Sequence, residues 1–225
     1  MKIELWSDYA CPFCYIGETR LKKASRQLPA SVEVEFKSFE LDPTAPREVV
    51  SSTQDRFAEK YGLTVDEARA RIDEISDMGR AEGLDFNYAT TRNTNTFDAL
   101  RLTKFAKIRG HDEIVEKLFD AYFTKNLELA DVDVLKQIAV ECGLDAAEVE
   151  TFLAGDEFAA EVRADEQQAA AYGIHGVPYF VINGKYAVNG AQPTEFLTAT
   201  LRKILAEELD EKFFDGLVCE ADGCH

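Results

Sequence analysis

The sequence predicts a mixed α/β fold whose sheet-forming part is split by a long helical block, and three observations carry the prediction. Alternating segments at Lys2–Trp6 and from Val32 to Phe39 flank a helical pattern, which reads as strand, helix, strand. From about Arg47 to Gly155 the pattern is helical almost throughout. Near the end, Val177-Pro178-Tyr179-Phe180-Val181-Ile182 and Tyr186-Ala187-Val188 flank Asn183-Gly184, a strong hairpin signal. The composition agrees: 225 residues, 46% hydrophobic and 30% charged, with 13 Gly and 6 Pro, suit an ordinary folded protein. A formal charge of -17 would repel phosphate backbones and anionic lipid, so neither nucleic acid nor a membrane surface is an expected partner.

Each element follows from local signals. The first helix is expected from Pro12 to Leu28. Thr64 with Glu67 forms a capping-box pattern that opens a helix to about Glu82, stopped by Gly83. Further helices are expected from near Asn95 to Gly110, from Asp112 to Lys125, from Val132 to Cys142 and from Ala146 to Leu153. A long one should run from Glu157 to Ala171, and a last amphipathic one from Gln192-Pro193-Thr194 to about Leu209. The segments divide as residues 1–44 with 156–209 for the sheet-containing domain, 45–155 for a helical insertion, and 210–225 for a short C-terminal extension.

The cysteines point to function. They are Cys11, Cys14, Cys142, Cys219 and Cys224, an odd count that argues against a static disulfide framework. The start alternates polar and apolar residues without the basic head and apolar run of a secretory signal, so a cytoplasmic location, where thiols stay reduced, is expected. Cys11-Pro12-Phe13-Cys14 follows a strand and opens a helix, the context in which this spacing is a redox signal. Pro12 suits the first helical position because its missing N–H is not needed there. Unpaired amides and the positive dipole end then face the Cys11 sulfur and favour thiolate, which makes Cys11 the nucleophile. Cys14, one turn inside, is the less exposed resolving thiol. Half of a zinc site is the alternative, since the same spacing suits tetrahedral thiolate ligation; no metal is assigned, because comparable ligands lie only at the far end. Cys142, beside a Gly stop, reads as a small buried thiol.

At Val177-Pro178 two geometries are open. A cis bond would turn the chain and free the Val177 amide and carbonyl for an extended polypeptide lying across the thiols; a trans Pro at an edge-strand start is the alternative. His175 sits just before this loop, as a rim residue or an ordinary loop His. Asp8 reads as a turn cap, the alternative being a carboxylate that disfavours thiolate at Cys11.

The combination of Ser7-Asp8-Tyr9-Ala10-Cys11-Pro12-Phe13-Cys14-Tyr15-Ile16-Gly17, Asn95-Thr96 and His175-Gly176-Val177-Pro178-Tyr179-Phe180-Val181 through Gln192-Pro193 resembles the DsbA family over about residues 1 to 209. It is most similar to its FrnE-like members, related to the kappa-class glutathione transferases and 2-hydroxychromene-2-carboxylate isomerases. The resemblance implies a thioredoxin fold interrupted by the helical insertion. It also implies an exposed nucleophile at Cys11, a buried resolver at Cys14 and a cis Pro178 facing them. The expected activity is cytoplasmic protein thiol-disulfide exchange, with isomerase activity and a role in oxidative stress as further expectations. Its substrates would be protein dithiols or disulfides, with a thiol reductant or oxidant as second partner. Beyond the redox-active disulfide no cofactor is required, with glutathione as an optional one. The transferases and isomerases generally carry Ser where Cys11 stands, so two cysteines favour exchange over a glutathione-dependent transferase or isomerase. A redox- or metal-sensing binding protein is the third reading. Where the family pattern has Ala-His-Arg, this chain has Ala99-Leu100-Arg101. Phe13 stands where DsbA has His and cannot donate a hydrogen bond to thiolate, so a reduction potential between about -270 mV and about -120 mV is expected. Cys219 and Cys224 match an additional C-terminal pair of some FrnE-like proteins and would act as an auxiliary redox pair. Soft-metal binding with His225, or a passive tail, are the alternatives.

Overall fold

The computed structural model describes residues 1–217; side chains are described through Glu208. Strand β1 (Lys2–Ser7) leads through helix α1 (Pro12–Ser25) to β2 (Glu33–Ser38). Seven helices follow: α2 (Thr53–Tyr61), α3 (Val65–Ala81), α4 (Phe97–Lys107), α5 (Ile114–Phe123), α6 (Val132–Glu141), α7 (Ala146–Ala154) and α8 (Ala159–Ala171). A 3₁₀ turn at Tyr88–Thr90 lies between α3 and α4. The chain then returns to the sheet as β3 (Tyr179–Ile182) and β4 (Tyr186–Asn189) and continues into α9 (Thr194–Leu217). The sheet order is β2-β1-β3-β4, with β1 parallel to β2 and the other pairs antiparallel.

Alternation along β1 sends Ile3 and Leu5 to one face, where they pack with Leu21 of α1, Phe180 and Ile182 of β3 and Leu197, Leu201 and Ile204 of α9. Trp6 faces the other way, against Ala169 of α8, Ile174 and Val181. Its indole N–H donates to the Asp165 carbonyl at 3.0 Å. Leu5 and Trp6 are therefore both apolar because helices cover both faces of the sheet. Asn183 and Gly184 take positive φ at the β3–β4 turn, +50° and +65°, as this hairpin type requires.

Local signals set most helix ends. Thr64 and Glu67 form the reciprocal capping box at α3. Helix α1 stops at Ser25, short of Leu28, because Leu28 precedes Pro29 and a residue before Pro avoids helical geometry. Helix α4 starts at Phe97, later than Asn95, since the Asn95 side chain accepts the Phe97 amide at 2.9 Å and Thr96 spends its hydroxyl on Asp8. Helix α8 starts at Ala159, after Phe158 at φ +62°. Helix α9 runs past Leu209 to Leu217, into the segment expected to be a separate tail; no Pro or Gly interrupts residues 194–215. Helix α2 has no individual counterpart among the expected helices, although Ser52 caps it by accepting the Asp55 amide and Gly62 ends it at φ +65°.

The largest apolar cluster crosses the boundary between the two parts of the chain. It joins Cys14, Tyr15 and Ile16 of α1 and Phe36 of β2 to Ile72 of α3, Leu100 of α4 and Phe119 of α5. Tyr15 stacks on Phe119 at 5.0 Å, and Tyr9 on Phe36 at 5.5 Å.

Candidate active site

The turn between β1 and α1 is built by one carboxylate. Asp8 is buried, and its oxygens accept the Ala10 amide at 3.1 Å, the Leu41 amide at 2.7 Å and the Thr96 hydroxyl at 2.8 Å. Burial pushes its carboxyl above the usual carboxylate range, against the pull of these three donors. Asp8 is thus the turn cap, tying the loop before the thiols to the segment after β2 and to the start of α4. The Cys11 amide donates to the Asp8 carbonyl at 3.1 Å, which closes the turn.

Cys11 takes the N-cap position of α1 in extended geometry (φ -92°, ψ 113°), with Pro12 as the first helical residue. No side chain caps this end. Cys14 is fully buried one turn in, and its amide donates to the Cys11 carbonyl at 3.1 Å. Burial first, and the neighbouring Cys11 second, push the Cys14 thiol well above its ordinary range.

Cys11 is not the exposed thiol that the resemblance implied. Only 3% of it is accessible, because the Val177 loop lies over it on one side and the helical insertion on the other. The Cys11 thiol donates to the Val177 carbonyl at 3.4 Å. That carbonyl is therefore engaged, whereas the expectation left it free. The Val177 amide has no hydrogen-bond partner among the described residues. The Val177–Pro178 bond is cis. Opposite it, Gly17 of α1 allows close approach: a Cβ there would stand 2.9 Å from Pro178 Cγ.

A cavity of about 840 Å³ opens at Cys11 and runs between the Val177 loop and α2 and α3. Phe13, Tyr61 and Met78 line it and are 37%, 57% and 36% exposed, forming an apolar rim beside the thiol. Arg56 and Tyr88 line its insertion side. The structure thus gathers Cys11, Cys14, Pro12, Phe13, Val177 and Pro178 at one place. His175 is exposed and is not part of the cavity wall. Cys142 is buried away from this cavity, and burial pushes its thiol up. Cys219 and Cys224 lie outside the described residues, as does His225. Among the described residues no cluster of three His, Cys, Asp or Glu side chains is gathered to hold a metal, and no helix is long and apolar enough to cross a membrane. Arg56, Tyr61, Met78 and Tyr88 had no chemical signature in the sequence; only the Ser52 cap and the Gly62 stop hinted at the helix that delivers Arg56.

A dithiol at the N-terminus of the helix after the first strand, faced by a cis-Pro loop, defines a thioredoxin-fold protein with a helical insertion. The chain matches the model of the DSBA-like thioredoxin domain over residues 2–202, and it belongs to that family, whose members point to oxidoreductase or isomerase activity. It is 30% identical over 154 residues to the uncharacterized protein YwbO of Bacillus subtilis (strain 168), covering 67% of this chain and 70% of that one. Among solved structures, a probable DsbA oxidoreductase from Streptomyces coelicolor superposes with a TM-score of 0.87 at 39% identity, over 92% of this chain and 91% of the other. The cytosolic disulfide reductase DsbM from Pseudomonas aeruginosa, solved with GSH, shares the fold at a TM-score of 0.61 and 15% identity, over 92% and 100% of the two chains.

Proposed function

We propose that the protein is a disulfide oxidoreductase of the cytoplasm that exchanges thiols and disulfides through Cys11 and Cys14. The observation that carries this reading is the pairing of a cavity-lining Cys11 sulfur at a helix N-terminus with a fully buried Cys14 one turn behind it. In the reductive direction the Cys11 thiolate attacks one sulfur of a substrate disulfide. A Cys11–substrate S–S bond forms, and the other substrate sulfur leaves as thiolate and takes up a proton. Cys14 then loses its proton and attacks the Cys11 sulfur. The Cys11–Cys14 disulfide forms, the second substrate thiolate leaves, and two electrons have passed to the substrate. A thiol reductant of the glutathione class restores the dithiol. With an oxidant in its place the same steps run backward on a substrate dithiol.

The unpartnered Val177 amide supports binding of extended backbone beside the thiols, and the Phe13, Tyr61 and Met78 rim supports apolar side chains around the target cysteine. The odd number of cysteines fits exchange chemistry in a reducing compartment better than a fixed disulfide framework. Cys219 and Cys224 would pass oxidising equivalents to or from the Cys11–Cys14 pair.

The test is reduction of insulin disulfides with dithiothreitol, and oxidative refolding of a reduced protein, by the native chain and by Cys11→Ser and Cys219→Ser/Cys224→Ser variants. Turnover that disappears with Cys11→Ser is the expected result. A further loss in the tail variant would support the relay. Absence of turnover in both assays would overturn the oxidoreductase reading and send attention to glutathione-dependent chemistry.

A further inference from the structure

Arg56 is a half-buried cation without an anion among the described residues. It lies on α2, and its Nε is fully buried with no hydrogen-bond partner. No carboxylate of the described residues lies within ion-pair distance of its guanidinium. The other covered arginines among the described residues are paired: Arg20 with Glu82 and Arg101 with Asp98. Withdrawing the Nε of a guanidinium from water without a partner costs free energy, so the position is understandable if an anion completes it.

The wall of the cavity does not supply that anion. Asp8 is held by three donors, Asp42 accepts from Thr44, Glu74 pairs with Arg71, and Glu59, one turn along α2, does not reach Arg56. Arg56 and Cys11 line the same cavity, and Tyr88 lies within electrostatic reach of both. An occupant with its sulfur at Cys11 can therefore extend across the cavity toward the guanidinium.

We infer that Arg56 binds a carboxylate carried by the substrate near its reacting sulfur, so that the site selects carboxylate-bearing thiols and disulfides. A planar guanidinium matches a carboxylate with two parallel hydrogen bonds, which suits this role better than a lysine would. The inference rests on Cys11 as the nucleophile and adds a substrate class to that reading. The carboxylate comes either from a small acidic thiol or from an acidic residue next to a protein cysteine.

The test compares two disulfide probes of Cys11, 5,5′-dithiobis(2-nitrobenzoate), which carries carboxylates, and neutral 2,2′-dithiodipyridine, counting only the reaction that Cys11→Ser removes. Arg56→Met is expected to slow the carboxylate probe by about tenfold or more while the neutral probe stays within about twofold, and Arg56→Lys to recover part of the loss. The neutral probe also reports that the variant is folded around its thiol. Equal slowing of both probes, or of neither, overturns the inference and leaves the oxidoreductase reading intact. Failure of Cys11 to react with either probe overturns the oxidoreductase reading itself. Oxidised glutathione and a peptide disulfide with Glu beside its cysteine separate the two sources. A tenfold loss confined to the first identifies a small acidic thiol, one confined to the second identifies a protein segment, and no loss with either again overturns the inference.

Discussion

Cys14 and Cys11 share a helical turn but differ in what surrounds them. The apolar core encloses Cys14 and pushes its thiol upward, so the proposed resolving step needs a proton to leave a group that holds it tightly. Below that raised value the thiolate fraction grows about tenfold per pH unit. Resolution of a preformed Cys11 mixed disulfide should therefore accelerate with near-unit logarithmic slope from neutral into alkaline pH in stopped-flow thiol release. A flat profile would place the slow step elsewhere. Gly17 is a second residue whose role is read from one distance. A methyl group there would press on Pro178 Cγ at 2.9 Å, while Ala191 at 3.5 Å would remain in ordinary contact. Overpacking costs about 1–3 kcal/mol, while Ala in place of a helical Gly returns about 1 kcal/mol. Gly17→Ala should thus lower stability by about 1 kcal/mol in urea titration. Its thiol exchange rate should fall further than that loss explains, because the displaced atoms belong to the loop over Cys11.

Among the elements, α2 and α3 form the far wall of the cavity and owe their ends to caps rather than to deep burial. Thr64 accepts the Glu67 amide at 3.3 Å, and Glu67 returns a carboxylate to the Thr64 amide at 2.8 Å. The donors at Thr64 also hold the Glu67 carboxyl below its usual range. Thr64→Ala should cost about 1 kcal/mol, seen as a lower urea midpoint at unchanged slope. Such helix signals could be read locally: Thr64 with Glu67, Gly143 after α6, and Asn183-Gly184 in the hairpin each act within a few residues. Helix ends set by distant groups could not. Thr96 leaves the start of α4 to Asn95 because its hydroxyl is committed to Asp8.

At the scale of the molecule, the Asp165 carboxylate of α8 binds three groups on two other elements, β2 and α4. It accepts the Ser38 amide at 2.8 Å and pairs with Lys104 at 2.5 Å and Lys37 at 3.5 Å, all largely shielded from water. Removing one partner of such a buried group leaves the others uncompensated, at about 3–5 kcal/mol. Asp165→Ala is therefore expected to lower the denaturation midpoint sharply, with Asp165→Asn intermediate. The apolar cluster that runs from Cys14 through Tyr15 and Phe119 into the insertion should make the sheet part and the helical part unfold together. A single coincident transition by far-UV circular dichroism and by tryptophan fluorescence, Trp6 being the one tryptophan, would show this.

Local chemistry in the chain was enough to place the dithiol, its helix N-terminus, the hairpin and the Pro178 loop, since spacing, capping and turn preferences act over a few residues. Folding decided how far Cys11 is covered, which group takes its hydrogen bond, and that Arg56 faces the same cavity. Those facts depend on residues far apart in sequence meeting across a shared core, and no periodicity or motif encodes where a side chain from α2 will stand relative to the start of α1.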